Sequence, residues 1–148
     1  MPTPRADDLR LLQLLRGASD VSDGTRVLEV GTGTGWNAGL LAHRLGNGNV
    51  VSVEIAPAVA ASASAALTRA GLGPRLIEGD GREGWPPGAP YDRVIVTAGV
   101  RSFPAAWLEQ TRPGGIVLAP WGTHYSNQGA LVRLTVGADG RGAGPFLT

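Results

Sequence analysis

The run Arg26–Gly35, R-V-L-E-V-G-T-G-T-G, constrains what this chain can fold into more than any other stretch. Val27, Leu28 and Val30 are apolar and β-favouring, the pattern of a short buried strand. Gly31, Gly33 and Gly35 then alternate with Thr32 and Thr34. A strand cannot continue through alternating glycines, which pack nothing and tolerate positive φ. Trp36 to about Leu45 follows as a helix, stopped by Gly46-Asn47-Gly48. Strand, glycine loop and helix together bring backbone N–H groups and a helix N-terminus against a nucleotide-like ligand.

The rest of the chain repeats the alternation. Asn49–Glu54 reads as a second strand ending in an acid. Pro57 then sits where a first helical turn accepts proline, and Ala58–Ala70 reads as a helix stopped by Gly71-Leu72-Gly73-Pro74. Arg75–Glu78 is a third strand, followed by Gly79-Asp80-Gly81. Tyr91-Asp92 leads into Arg93–Ala98, whose Val-Ile-Val centre suggests a strand covered on both faces. Phe103–Gln110 is a short helix, and Pro113-Gly114-Gly115 turns into a fifth strand, Ile116–Ala119. Beyond a polar loop from Gly122 to Gln128, Leu131–Val136 has the period-two pattern of a half-exposed strand. Asp139-Gly140 signals a hairpin, and Pro145-Phe146-Leu147 starts the return strand. Upstream, Leu9, Leu11, Leu12, Leu14 and Leu15 fit one wide helical face, with Gly17 as its stop. The order implies an α/β fold: a Rossmann-like doubly wound, mostly parallel sheet with a C-terminal antiparallel hairpin. Residues 1–148 read as one domain, with 1–24 as N-terminal helix and lead-in and 25–148 as the core.

Composition removes whole classes of chemistry. There is no cysteine, hence no disulfide, thiol nucleophile or thiolate metal site. His43 and His124 are the only histidines, too few for a histidine cluster, and no metal is expected. They read as ordinary polar positions. A net charge of +1 gives no reason to expect nucleic acid or an acidic membrane as partner. All 13 basic residues are arginine, which suggests coding bias and lowers the functional weight of any one of them. No apolar run reaches transmembrane length and no signal-peptide pattern opens the chain, so a cytoplasmic monomer is expected. G-x-S-x-G and the P-loop lysine are both missing, against hydrolase and NTPase readings.

In an open α/β sheet, ligands bind beyond the carboxyl ends of the strands, and the unusual residues fall there. Strand one ends in the glycine loop. Strand two ends in Glu54, 19 residues after Gly35, where a carboxylate can accept from both hydroxyls of a ribose. Strand three ends in Asp80, and strand four in Thr97-Ala98-Gly99. Each feature alone is a tight turn or a solvated charge; in register on successive strands they point to an adenosine-containing ligand. The dinucleotide fingerprint G-x-G-x-x-G does not fit, because Gly39 is out of place for it. The spacing Glu29-x-Gly31-x-Gly33-x-Gly35 resembles class I methyltransferases, which bind S-adenosylmethionine (SAM).

Four stretches narrow the resemblance: V-L-E-V-G-T-G-T-G-W-N-A, G-D-G-R-E-G-W, A-P-Y-D-R-V-I-V-T-A and L-E-Q-T-R-P-G-G-I-V-L-A-P-W-G. In this order they resemble the protein-L-isoaspartate O-methyltransferase family, over about Val21 to Val136. By that resemblance Gly31, Thr32, Gly33 and Gly35 line the methionine end of SAM. Glu54 holds the ribose, Asp80 with Gly81 sits near the adenine, and Thr97 and Ala98 form the floor beside the reactive methyl. Glu29 and Ile55 complete the cofactor-binding set. The implied reaction transfers a methyl to an isoaspartyl or aspartyl carboxylate of a protein or peptide, a step in repair of isoaspartyl damage.

The resemblance has gaps at both ends. The family carries a serine-containing S-x-P element before its first helix. Met1 opens almost where that element belongs, and Pro2-Thr3-Pro4 does not match it. No catalytic residue is therefore assigned. Thr148 ends the sequence where family members continue their antiparallel strands. Asn37 and the 101–122 region also resemble the branch that methylates aspartate in ribosomally made peptides. The same glycine loop also suits a SAM enzyme acting on a small molecule, or a SAM-binding remnant without turnover. Trp36 and Trp85 are candidates for cofactor contact or for core and rim packing, and Tyr125-Ser126-Asn127 for a cleft border or a surface loop.

Overall fold

The structure, a computed structural model, describes residues 21–122 and 130–147. The expected helix at Leu9–Leu15 with its stop at Gly17, and the stretch 123–129 with His124, Tyr125, Ser126 and Asn127, lie outside these residues.

Strand β1 (Val27–Val30) is the centre of the sheet, paired in parallel with β2 (Val50–Glu54) on one side and β4 (Tyr91–Val96) on the other. β3 (Arg75–Glu78) extends the sheet beyond β2, and β5 (Thr111–Trp121) lies parallel beyond β4. β6 (Ala130–Val136) then runs antiparallel to β5. The order is β3-β2-β1-β4-β5-β6, followed by a short edge formed by β7 (Gly142–Ala143) and β8 (Phe146–Leu147). Helices α1 (Trp36–Leu45), α2 (Pro57–Arg69) and α3 (Ala105–Glu109) connect the parallel strands. This is the expected Rossmann-like, mostly parallel sheet with antiparallel strands at its C-terminal edge.

The helix boundaries follow the residues that punctuate them. α1 starts at once after Gly35 and ends at Gly46, both at positive φ, with His43 and Arg44 in its last turn favouring the C-terminal end of the dipole. α2 begins on Pro57. It ends in a Schellman turn: Leu72 N donates to Leu67 O at 2.9 Å and Gly71 N to Thr68 O at 3.0 Å, with Gly71 at φ 74°.

Side-chain alternation along the strands divides the core into two layers. Leu28, Val30, Val51, Val53, Val94, Val96 and Val117 face one side, where Trp107 of α3 covers them. Val27, Val50, Ile95 and Leu118 face the other, under Leu41, Ala42 and Leu45 of α1. The Val94-Ile95-Val96 centre of β4 is buried on both faces, as its composition implied.

Two segments differ from expectation. β5 starts at Thr111, earlier than Ile116: Tyr91 pairs with Thr111 and Arg93 with Ile116, so residues 112–115 bulge out between them. Pro113 and Gly114 (φ 81°) make the turn inside the strand instead of before it. The return leg of the hairpin also begins earlier, at Gly142. β7 and β8 share one register against β6, from Val136 opposite Gly142 to Leu131 opposite Leu147. At the break, 144–145, Pro145 has no N–H to give although its carbonyl still accepts from Arg133 N at 3.2 Å, and Gly144 lies so close to Arg133 O that only glycine fits there. Among the described residues no helix is long and apolar enough to cross a membrane.

Leu28 is fully buried at the centre of the first layer. Leu28→Ala should therefore lower unfolding free energy by about 2–5 kcal/mol in urea denaturation. A loss below about 1 kcal/mol contradicts the placement of β1 at the sheet centre.

Candidate functional site

The carboxyl ends of β1, β2 and β4 are stitched into one surface by backbone bonds that outlast the strands. Gly31 N donates to Val53 O at 2.9 Å, Thr97 N to Val30 O at 3.0 Å, and Gly79 N to Glu54 O at 2.9 Å. The Thr97 hydroxyl donates to Gly31 O at 2.5 Å. The glycine loop is thus bonded to Thr97 through Gly31 and to Glu54 through Gly33, as their strand-end positions implied.

The three alternating glycines do different jobs. Gly31, at φ 95°, lies so close to Thr97 that a Cβ would stand 2.6 Å from its Oγ1. Gly35, at φ 85°, lets the start of α1 press on α2, where a Cβ would meet Ala63 and Leu67 at 3.3 Å. Gly33, at φ 55°, faces open space. None of their amides is free: Gly31 N is on Val53 O, Gly35 N on Thr32 O at 3.0 Å, and Gly33 N on Glu54 Oε1 at 2.9 Å. Glu54 Oε2 takes Ala56 N at 3.1 Å. The loop therefore presents a carboxylate where a phosphate-binding loop presents unpaired N–H groups.

Around this centre the other expected residues are arranged as follows. Ile55 is 67% exposed, an apolar side chain beside Glu54. Asp80 is exposed and its Oδ1 accepts from Arg82 N at 2.9 Å, capping a single 3₁₀ turn. Gly81 abuts Val30, whose Cγ1 would lie 2.4 Å from a Cβ there, and its carbonyl accepts from Trp107 Nε1 at 2.8 Å. Thr97 is half-buried and Ala98 exposed.

Glu29 requires a correction. It was expected to bind the cofactor, but it is 0% exposed and lies beneath the loop. Its Oε2 accepts from Asn37 Nδ2 at 2.6 Å and its Oε1 from Ser52 Oγ at 2.5 Å. Ser52 Oγ in turn lies 2.6 Å from the Thr32 hydroxyl. Burial pushes the Glu29 carboxyl up to about 7; the Ser52 and Asn37 bonds oppose that, and the nearby Glu54 charge adds to it. Thr32 belongs to this buried set too, whereas Thr34 is exposed and accepts from Trp36 N at 3.4 Å.

Trp85 is also elsewhere. It lines a cleft at the opposite, amino-terminal ends of the strands, with Arg26, Val50 and Arg75, and the Arg75 guanidinium sits 4.5 Å from its ring centre. Its segment is held by structural contacts: Gln110 Oε1 accepts from Trp85 N at 2.8 Å, and the Tyr91 hydroxyl donates to Trp85 O at 2.6 Å. Sequence reasoning did not single out Ser52. Its signal was there, as the one polar residue in V-V-S-V ahead of Glu54 and directly opposite Glu29 in the sheet register. Among the described residues no group of three His, Asp or Glu could hold a metal.

The model of the protein-L-isoaspartate(D-aspartate) O-methyltransferase family matches residues 8–141. The chain belongs to this family. A relative from Pyrococcus horikoshii named protein-L-isoaspartate O-methyltransferase is 39% identical over 129 residues, which cover 84% of this chain and 58% of that protein. A solved structure of the same name superposes with a TM-score of 0.81 at 31% identity, over 93% of this chain and 44% of that one. The chain thus spans about half the length of the family relatives it matches. An RNA methyltransferase from Salinibacter ruber, solved with S-adenosyl-L-homocysteine, has a TM-score of 0.67 at 20% identity and covers 93% of this chain and 95% of that one, a likeness of fold. The methyltransferase family's E-x-G-x-G-x-G pattern is in this chain one buried acid, one loop pinned to β4 and one glycine open to the outside.

The distinct roles of the glycines predict distinct costs. Gly33→Ala should cost about 1–2 kcal/mol for left-handed φ alone, while Gly31→Ala adds the collision with Thr97 and should cost clearly more in the same urea titration. Equal costs would contradict the Thr97 contact. Glu29 predicts a pH effect. Its unfolded carboxyl ionises near the ordinary value of 4.5 and the folded one at about 7. Between those values the folded state holds the extra proton, so this group makes stability fall as pH rises through the window and leaves it level above. The difference in unfolding free energy between Glu29→Gln and the parent should change by a few kcal/mol across that window, in favour of the variant at higher pH. A pH-independent difference contradicts the buried placement.

Proposed function

We propose that this chain binds S-adenosylmethionine at the carboxyl ends of β1, β2 and β4 and is a carboxyl O-methyltransferase of isoaspartyl or aspartyl side chains in a protein or peptide. The Glu54–Gly33 bond carries the donor reading. With every loop-glycine amide taken and a carboxylate beside Gly33, the site suits a ligand with hydroxyl donors and a cationic centre better than a pyrophosphate. An ionised carboxylate has about four acceptor positions, so Glu54 can keep Gly33 N and Ala56 N and still take the two hydroxyls of a ribose. Exposed Ile55 offers an apolar face for a purine, Asp80 an acceptor for its amino group, and the open side of Gly33 room for the amino-acid end. Family membership and the names of the relatives support the acceptor class.

A bound donor would supply an electrophilic methyl on its sulfonium; a substrate carboxylate oxygen would bond to that carbon as its bond to sulfur breaks, and neutral S-adenosyl-L-homocysteine would leave. The demands on the protein are then few. A substrate carboxyl is already ionised near neutrality, so no side chain has to act as base. What remains is alignment: the Thr97–Gly31 bond holds the floor and the loop at one spacing, and such positioning supplies much of the acceleration. Charge is neutralised in the displacement, so a site that excludes water favours it.

Calorimetry with S-adenosyl-L-homocysteine and transfer of labelled methyl to isoaspartyl, aspartyl and unmodified peptides test the two halves. Binding and isoaspartyl-dependent transfer are expected. Transfer to the aspartyl peptide alone selects the peptide-modifying branch, and binding without transfer to either sinks the enzyme reading. Glu54→Ala should weaken S-adenosyl-L-homocysteine by about tenfold or more, the cost of hydrogen bonds to a charged group. Unchanged affinity in that variant would remove Glu54 from the site.

A further inference from the structure

Ser52 is a fully buried hydroxyl within an otherwise apolar strand interior. Burying a hydroxyl is costly unless it is bonded, and this one is bonded on both sides. Its Oγ is 2.5 Å from Glu29 Oε1 and 2.6 Å from Thr32 Oγ1. The first contact follows from the register that sets Ser52 opposite Glu29 on β1. The second reaches into the glycine loop. Three oxygens thus run in an unbroken line from a buried acid to the loop, and Asn37 of α1 holds the far oxygen of that acid.

Such a line can point in either direction. An ionised carboxylate only accepts, so Ser52 must donate to Glu29 and Thr32 to Ser52. With a proton on Oε1, Glu29 donates to Ser52, Ser52 donates to Thr32, and the Thr32 hydrogen is released to face elsewhere. A proton on Oε2 gains nothing, because Asn37 would have to turn its amide over and exchange its unpartnered buried Oδ1 for an unpartnered Nδ2. We propose that Ser52 is a positioning residue that transmits the protonation state of Glu29 to the Thr32 hydroxyl, and so couples the set of the glycine loop to pH. The geometry stands by itself; the consequence for ligand binding rests on the donor-site reading above. Among the described residues the elements packed on Glu29 bring it few charged neighbours: β4 sets Ile95 opposite it, α1 brings Asn37, and β2 brings Glu54, whose charge favours the protonated form. With the carboxyl pushed up to about 7, both directions of the line are populated near neutrality.

The test follows the Glu29 carboxyl carbon and the backbone amide of residue 32 by NMR in the ligand-free chain, from about pH 5 to about pH 9. In the parent chain the amide should move with the Glu29 midpoint. In Ser52→Ala, Glu29 should still titrate, with its midpoint raised because the ionised form has lost a donor, while the amide step largely disappears. Thr32→Val cuts the line at its other end and should also lose the step, with the Glu29–Ser52 bond intact; it serves if Ser52→Ala does not fold. Glu29→Gln should show no step. The proposal is overturned if the step keeps its full size in the folded Ser52→Ala or Thr32→Val chain, or if the parent shows none. Affinity for S-adenosyl-L-homocysteine on the same samples at the two pH extremes separates the two readings. No binding by the parent sinks the donor site and leaves the NMR result to decide the relay. A pH-dependent affinity in the parent, about fivefold, that flattens in the variants supports the coupling, and a parent affinity equal at both extremes overturns its functional half.

Discussion

A carboxyl with no access to water lies under the glycine loop, and the loop is built around its needs. An unpaired buried acid would cost several kcal/mol, so Glu29 must be surrounded by donors. Those donors come from three elements: Ser52 from β2, Asn37 from α1 and, through Ser52, Thr32 from the loop itself. Satisfying one side chain therefore fixes the start of α1 and the inner wall of the loop relative to the sheet. The apolar layers would tolerate small shifts of α1 along the strands, whereas bonds of this length would not.

The outer wall is set differently. Parallel strands end level with one another, so the first residues beyond them can still exchange backbone bonds; Gly31, Gly79 and Thr97 do this in turn. Thr97 then closes on Gly31 with its side chain, and Glu54 closes on Gly33. The loop is held between a buried acid on one side and an exposed acid on the other. Both are acceptors, and the exposed one takes the Gly33 amide. The Glu54 carboxylate beside Gly33 disfavours an anion such as phosphate there.

Period and punctuation made most of the fold readable. Two-residue and 3.6-residue patterns bounded by glycine and proline located β1, α1, α2 and β3, because each of those elements has a face that must be buried and an end that must stop. The bulge in β5 was not readable, since it depends on what the neighbouring strand presents, a register shift after Tyr91. The site divides along the same line. Gly31, Gly33, Gly35, Glu54 and Thr97 were placed together by their positions at strand ends. Ser52 did not, because its importance comes from standing opposite Glu29, and Glu29 was misread because a motif gives the residue type without saying which way it faces.

Two of the stretches that carry the family resemblance behave in the same way. G-D-G-R-E-G-W and A-P-Y-D-R-V-I-V-T-A contain one face of the site, Asp80 and Thr97-Ala98, but most of their residues hold each other. Trp107 reaches Gly81, Gln110 bonds Glu83 and Trp85, and Tyr91 bonds Trp85. Gly84, at φ 62°, lies against the Gln110 amide, which would have to shift for any side chain there. This framework ties the β3–β4 connection to α3 on the face away from α1. The glycine loop and the β3–β4 connection are therefore anchored on opposite faces of the sheet, with Glu29 bonded behind the first and Gly81 packed on Val30 in the second. The bonds of the framework therefore involve none of Glu29, Ser52 and Thr32, and those of the buried line involve none of Gly81, Trp85, Tyr91, Trp107 and Gln110.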